Sequence, residues 1–358
     1  MPTFHALTIA DVRRETEDTV SLAFDVPADL REDYRFEHGQ YLTLRAILSG
    51  EDTRRSYSIC SGVNDDELRV AIKQVPGGLF STYANQELKA GDNLEVMTPM
   101  GRFTAPLEPA KAKHYVLFAA GSGITPMMSI LKTVLTEEPE SEVTLVYGNR
   151  KFQTVIFRDE LEDLKDAYLG RLRIFHVLSR EANEVALFSG RIDQEKCDAF
   201  MRLLIQPDSV DHAFICGPEE MIEAVRTSLG NAGVPEDRVH FELFTSPKGK
   251  LGGRTEDQPE PEDTGIRTQT RVTLYGQQWD FDMGQHEFVL DAASNQGLDL
   301  PYSCKGGMCN TCRAKLVKGE VEMEVNYALY PDEVEAGYIL TCQSRPKTDH
   351  IEVDFDQQ

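Results

Sequence analysis

The sequence predicts a multidomain chain in which an antiparallel β-barrel precedes an α/β unit built on a parallel sheet, with a compact third segment at the end. Three observations predict it. Up to about residue 108 the chain reads as short β-branched and aromatic runs broken by turns. From about 112 to 245 buried-looking strands alternate with helical stretches, and after a tract of Gly, Pro and charge a cysteine-rich block follows. A length of 358 residues is too great for one ordinary core, which agrees with two or three domains.

In chain order, "QYLTLRA", "RRSYSIC", "ELRVAIKQV" and "NLEVMTP" supply the barrel strands, and residues 1–110 are assigned to it. Residues 111–245 hold "YVLFAAG", "VTLVYGN", "LRIFHVLS" and "HAFICGP", interleaved with helices such as "TPMMSILKTVL" and "EEMIEAVRTSLGNAG". A last strand, "RVHFELF", closes this unit. Residues 246–268, "SPKGKLGGRTEDQPEPEDTGIRT", have almost nothing to bury and read as a flexible linker. Residues 269–358 form the third domain.

Lys and Arg number 37 against 60 Asp and Glu, a net charge of −23 that repels phosphate backbones and argues against nucleic acid as a partner. The N-terminal residues lack a secretory signal and no run approaches a membrane span, so a cytoplasmic location with no membrane partner is the expectation. The seven cysteines are an odd number without an export signal, which makes a disulfide framework improbable.

Cys304, Cys309 and Cys312 fall at C-x4-C-x2-C in "LPYSCKGGMCNTCRAKL", and Cys342 follows in "GYILTCQSRP". A zinc ribbon would more usually offer two separated C-x2-C knuckles. The observed spacing is that of a plant-type 2Fe–2S loop with a distant fourth thiolate, and Gly306 and Gly307 allow the backbone to approach the cluster sulfurs. The segment resembles plant-type ferredoxin over nearly its whole length, which implies an α+β β-grasp fold. Its acidic residues outnumber its basic ones, a surface suited to a basic partner.

A one-electron carrier needs a source of electrons. In "RRSYSICS", Arg55 offers a charge for a pyrophosphate, Tyr57 a flat face for a flavin ring and Ser58 a hydroxyl near its reactive edge, with Ser56 between them. In "PGGLFSTYA", Gly77 and Gly78 permit a tight turn whose amides, with Ser81 and Thr82, suit a phosphate. Farther on, "FAAGSGITPMMSIL" runs a strand into Gly121-Ser122-Gly123 and opens a helix near Thr125-Pro126. Pro126 stands where G-x-G-x-x-G has its third glycine, so the ordinary dinucleotide fingerprint is not met. Arg150 ends one strand and Ser179-Arg180 another; these arginines favour NADPH, with its 2′-phosphate, over NADH. Cys216, Gly217 and Pro218 stand at the end of a further strand, where open α/β sheets bind ligands.

Together these motifs resemble the ferredoxin–NADP reductase superfamily with a fused C-terminal ferredoxin. The resemblance implies an FAD-binding domain at 1–110, an NAD(P)-binding domain at 111–245 and a 2Fe–2S domain at 269–358, with Cys304, Cys309, Cys312 and Cys342 as iron ligands. It implies that Cys216-Gly217-Pro218 lies beside the nicotinamide, that Phe244 covers the flavin face and that Glu242 sits near it. Ser58, Cys216, Glu242 and Phe244 are then the catalytic candidates. Cys60 and Cys197 receive no role. The domain order is that of reductases serving multicomponent oxygenases. "EVMTPMGRF", "YGNR", "CKGGMCNTC" and "NYALYPDEVEAGYILTCQ" make the chain similar to the reductases of the ring-1,2-phenylacetyl-CoA epoxidases. That likeness implies FAD, NADPH and a 2Fe–2S cluster as cofactors and a di-iron oxygenase complex as electron acceptor. Another oxygenase or a hybrid-cluster protein is the alternative acceptor, and a redox sensor the alternative class. No G-x-S-x-G or H-E-x-x-H motif points to hydrolysis.

Overall fold

Alternation with period two governs the first strands of the computed structural model, which describes residues 2–244 and 265–357. In β1 (Phe4–Thr16) Leu7 and Ile9 are fully buried while their neighbours face out, so one side of the strand lines a core. With β2 (Thr19–Asp25), β3 (Tyr41–Leu48), β4 (Glu51–Ser58), β5 (Leu68–Lys73) and β6 (Asn93–Met97) it makes a six-stranded sheet in the order β4-β3-β6-β1-β2-β5. The two end strands do not stay apart. Ile59, just beyond β4, bridges Val70 of β5, and the Cys60 N–H donates to the Arg69 carbonyl at 2.8 Å, which closes the sheet into a barrel. Helix α1 (Leu79–Gln86) follows β5, and its Phe80 joins the barrel core.

The grammar then changes as the strand–helix alternation requires. Strands β7 (His114–Ala120), β8 (Glu142–Asn149), β9 (Leu172–Leu178), β10 (Val210–Cys216) and β11 (Val239–Glu242) form a parallel sheet in the order β11-β10-β7-β8-β9. Helices α2 (Ile124–Glu137), α3 (Arg158–Ala167), α4 (Gln194–Leu203) and α5 (Glu219–Asn231) connect them. The central β7 is buried at nearly every position, the pattern of a strand covered on both faces. Because every strand runs the same way, all their C-terminal ends share one edge.

Barrel and parallel sheet belong to one compact unit. Cys60, Ala71, Phe103 and Ala105 enter the same apolar cluster as Tyr115, Leu117, Met127 and Phe214. Phe103 meets Phe214 edge to face at 5.1 Å, and the Val63 N–H donates to Thr133 Oγ1 at 3.1 Å. Beside this seam Glu138, fully buried, accepts from Lys113 at 3.2 Å, Tyr115 OH at 3.1 Å, Ser141 Oγ at 2.7 Å and the Glu108 N–H at 2.6 Å. A buried carboxylate with that many donors keeps its charge, and they hold it below the usual carboxylate range against the opposing effect of burial.

The second unit carries the cysteine block. Strands β12 (Arg267–Leu274), β13 (Gln277–Gly284), β14 (Arg313–Lys318), β16 (Tyr338–Leu340) and β18 (His350–Asp354) pair as β13-β12-β18-β14-β16, with β12 and β18 parallel and the other pairs antiparallel. β15 (Val321–Met323) pairs with β17 (Ser344–Pro346), and α6 (Val289–Asn295) and α7 (Pro331–Glu335) complete the unit. The β12–β13 hairpin turns on Tyr275 (φ 53°) and Gly276 (φ 70°), whose N–H groups donate to Asp356 at 2.7 and 2.6 Å. This mixed sheet with its packed helix is the α+β architecture expected. β12 begins at Arg267, so residues 267–268 of the sequence-assigned linker are strand; the flexible stretch assigned to 246–264 lies outside the described residues. No described helix is long and apolar enough to cross a membrane.

Phe103 is 4% exposed and joins the two halves of the first unit, so Phe103→Ala should destabilise that unit by about 3–5 kcal/mol. Calorimetry should show one of the thermal transitions falling while that of the cysteine-bearing unit stays in place.

Candidate active site and cluster loop

The C-terminal edge of the parallel sheet collects most of the predicted site. Next to β7, residues Gly121–Gly123 make a tight 3-10 turn into α2, with Gly121 at φ 56°. A Cβ on Gly123 would stand 2.1 Å from the Cys216 carbonyl oxygen, so only glycine lets this turn lie against the end of β10. Thr125 donates its hydroxyl to the Ser122 carbonyl at 3.0 Å, and Tyr147 OH donates to the Gly121 carbonyl at 3.0 Å. Pro126 occupies the first turn of α2, where its missing N–H leaves no bond unmade. No acidic residue stands in that turn, so the positive end of the helix remains available to an anion.

Across the same edge, Cys216 pairs in register with Glu242 of β11 and with Ala119 of β7. Burial, with Glu242 adding to it, pushes the Cys216 thiol well above its ordinary value, which leaves it uncharged. A Cβ on Gly217 would stand 2.5 Å from Met221 Cε and 3.1 Å from Ala120 Cβ, and Pro218 caps α5. The Ser58 hydroxyl, at the end of β4 in the barrel, acts on the Glu242 carboxyl, whose Oε2 is shielded from solvent with no partner in the described residues. Burial drives the Glu242 carboxyl up to about 8 despite the opposing Ser58 hydroxyl. Ser58, Cys216 and Glu242 therefore come together, and Phe244 lies partly buried against the apolar cluster that joins barrel and sheet.

On the barrel side, Tyr57 is half-buried with its ring 5.8 Å from Phe80 of α1. Arg55 turns one nitrogen to the Arg54 carbonyl at 2.7 Å, and Ser56 is half-buried between Arg55 and Tyr57. Gly77 takes φ 74° and leads into Gly78, which caps α1. Ser81 closes this loop itself, accepting from the Val75 N–H at 3.1 Å and donating to the Gly78 carbonyl at 3.2 Å, while Thr82 accepts from Gln74 at 3.4 Å. The hydroxyls thus shape the turn, and the α1 backbone amides are left as the groups for a phosphate. The orphaned Glu242 oxygen beside Ser58 and the side-chain-uncapped start of α1 fit a flavin with a phosphate tail.

At the other end of the sheet edge, Arg150, Ser179 and Arg180 are exposed. The backbone carries the ladder past β8 and β9, with the Ser179 N–H on the Asn149 carbonyl and the Arg180 N–H on the Arg150 carbonyl, both at 2.8 Å. Sequence reasoning missed Glu181 here. Its carboxylate accepts from the Phe152 N–H at 3.1 Å and shares the lip with the two arginines. The acid directly following Arg180 was the available signal.

In the second unit, Cys304 and Cys309 bring their sulfurs within 3.2 Å, while the Cys312 thiol acts on that of Cys342 and holds it above its ordinary value. Two thiol pairs suit a two-iron centre that needs four thiolates. The Gly306 and Cys309 N–H groups donate to Cys304 Sγ at 3.3 and 3.4 Å. The Cys309 thiol first, and then these amides with that of Met308, pull the Cys304 thiol down to about 6 against burial. Amides aimed at sulfur fit a negatively charged cluster. Cys312 and Cys342 belong to the apolar core, whereas Cys304 and Cys309 are half-exposed.

Two outcomes follow from this geometry. Gly123→Ala should weaken nicotinamide nucleotide binding about tenfold or more, measured by titration calorimetry, because its new Cβ displaces the turn from Cys216. Glu242 keeps its proton to about pH 8 in the folded chain but releases it near 4.5 when unfolded, so stability falls as pH rises through that window. Tm of the wild-type protein should therefore drop between pH 5 and pH 8 by more than that of Glu242→Gln, in which this contribution is absent.

Residues 6–105 match the oxidoreductase FAD-binding domain family, residues 117–227 the oxidoreductase NAD-binding domain family and residues 272–347 the 2Fe-2S iron-sulfur cluster binding domain family. The chain is 44% identical over 359 residues to a component of the 1,2-phenylacetyl-CoA epoxidase of Escherichia coli (strain K12), with 99% of each chain covered. It is 36% identical over 353 residues to the ferredoxin reductase component of 3-ketosteroid-9-alpha-monooxygenase from Rhodococcus rhodochrous, covering 98% of this chain and 96% of that one. Among solved structures, phthalate dioxygenase reductase, a modular structure for electron transfer from pyridine nucleotides to a 2Fe–2S centre, superposes with a TM-score of 0.60 at 25% identity over 98% of both chains. Matched in domain order and aligned end to end with such relatives, the chain belongs to the family of NAD(P)H-dependent oxidoreductases that couple an FAD-binding and an NAD-binding domain to a C-terminal 2Fe–2S ferredoxin domain.

Proposed function

We propose that this chain is the reductase that draws electrons from NADPH and delivers them to a di-iron oxygenase which epoxidises the aromatic ring of phenylacetyl-CoA. The observation that carries the reading is the end-to-end likeness to the phenylacetyl-CoA epoxidase component. Bound FAD supplies the exchange between a two-electron hydride donor and the one-electron 2Fe–2S cluster. The protein's part is positional. Gly121–Gly123 and the start of α2 receive the dinucleotide, and the uncharged Cys216 thiol offers the nicotinamide a surface without charge. Ser58 and the protonated Glu242 hold a proton at the carboxyl oxygen near the flavin edge, and Phe244 screens the flavin face from water. Cys304, Cys309, Cys312 and Cys342 hold the cluster.

Arg150 and Arg180 favour the 2′-phosphate of NADPH, and Glu181 opposes it from the same lip. Arg150→Ala should raise KM for NADPH about tenfold, the loss of one charge-assisted contact, and leave KM for NADH nearly unchanged. Glu181→Gln should move the preference the other way. A second reading, delivery to a different oxygenase, draws support from the likeness to the ketosteroid monooxygenase component.

Anaerobic stopped-flow mixing with NADPH and then NADH tests the reading. Flavin bleaching followed by cluster reduction, and turnover of phenylacetyl-CoA when the epoxidase oxygenase is added, is the expected result. A cluster that stays oxidised while the flavin bleaches would sink the electron path. Rapid cluster reduction without turnover would transfer the chain to another acceptor.

A further inference from the structure

Gln343, the residue after the fourth cysteine, is 1% exposed and has no role in the reading above, on whose cluster it nevertheless depends. Its amide nitrogen lies 3.1 Å from the Lys305 carbonyl oxygen, 2.8 Å from the Cys342 carbonyl oxygen and 3.6 Å from Cys342 Sγ. Two carbonyls can only accept, so chemistry alone turns the NH2 side of the amide toward them. The backbone of Gln343 is pinned as well, its N–H donating to the Leu340 carbonyl at 2.9 Å and its carbonyl accepting from the Glu324 N–H at 2.8 Å.

The Lys305 carbonyl and the Gly306 N–H belong to one planar trans peptide and therefore point in opposite directions. Gln343 holds the carbonyl end, and the N–H end donates to Cys304 Sγ at 3.3 Å. Lys305 itself takes φ 48°, a left-handed conformation that a side-chain-bearing residue keeps only when its surroundings enforce it. Lys305 is also tied through Nζ to Asp291 at 2.9 Å, but that contact fixes its side chain and leaves the peptide free to turn.

We propose that Gln343 is a positioning residue for the cluster: by clasping the Lys305 carbonyl it keeps the Gly306 N–H on the Cys304 sulfur, linking the strand-borne fourth ligand to the loop-borne first. A donor on a ligand sulfur favours the reduced, more negative cluster. Removing the clasp lets the strained peptide turn away and takes that donor with it.

The test is the one-electron midpoint potential of the cluster in the full chain, by dye-mediated anaerobic titration, together with the EPR g values of the reduced state. Gln343→Met, which keeps the volume and removes the donor, should lower the cluster's electron affinity about tenfold, a shift of about 59 mV to more negative potential. Gln343→Glu should shift it the same way. Lys305→Gly combined with Gln343→Met should recover part of the shift, measured relative to Lys305→Gly alone, because glycine holds the left-handed conformation without a clasp. Should either Gln343 variant fail to keep its cluster, recovery of the cluster by Lys305→Gly carries the same meaning, and no recovery counts against the clasp. A purely structural Gln343 would lower Tm and leave potential and g values unmoved, which would overturn the proposal. A wild-type chain without 2Fe–2S absorption would instead overturn the cluster reading beneath it.

Discussion

The contact of Phe103 with Phe214 and the apolar seam around it is the constraint on which the candidate site depends. The two sides of that site come from different folds. Ser58 ends a barrel strand, whereas Cys216 and Glu242 end strands of the parallel sheet. Neither fold alone can bring a hydroxyl to the Glu242 carboxyl. The seam does so by burying Cys60, Ala71, Phe103 and Ala105 against residues of the sheet and α2, which leaves the barrel one way to sit. The buried Glu138 and its donors stand beside this seam and tie the segment ahead of β7 to the end of α2, so the polar groups there are satisfied and the packing stays unique.

Close approach is the second theme, and glycine enforces it. At Gly123 the turn lies so near the end of β10 that any side chain collides with the Cys216 carbonyl. The start of α2 is thus fixed relative to Cys216, and through the register of β10 with β11 relative to Glu242. The raised carboxyl is a consequence of this crowding. Once shielded from water, with one hydroxyl and no cation acting on it among the described residues, Glu242 is more stable with its proton than without it.

The cluster loop solves the opposite problem, gathering negative charge instead of excluding it. Four sulfurs approach in two pairs, two within the apolar core and two at its half-exposed rim. Backbone amides of Gly306 and Cys309 turn toward Cys304 to meet them. Such a loop has little regular structure of its own, so its shape rests on contacts from outside. The Tyr327 N–H holds the Gly307 carbonyl at 3.0 Å, and Gln343 holds that of Lys305.

By itself the sequence determined the class of each domain, because hydrophobic period and turn chemistry are local properties. "YVLFAAG", "VTLVYGN" and "HAFICGP" announce buried parallel strands, and they became β7, β8 and β10. The spacing of Cys304, Cys309 and Cys312 announces a cluster loop because a loop that wraps a small centre admits few spacings. Period alone does not mark the opening strand β1, since "FHALTIADVRRET" mixes polar and apolar residues along a half-buried strand in the middle of its sheet. Only the tertiary structure decided which side chains meet. That Ser58 and Glu242 come to one place, that Glu181 meets the Phe152 N–H beside Arg150, and that Gln343 reaches Lys305 are all facts of distance between remote residues. Such distances are set by how strands register and how faces pack, and no local pattern encodes them.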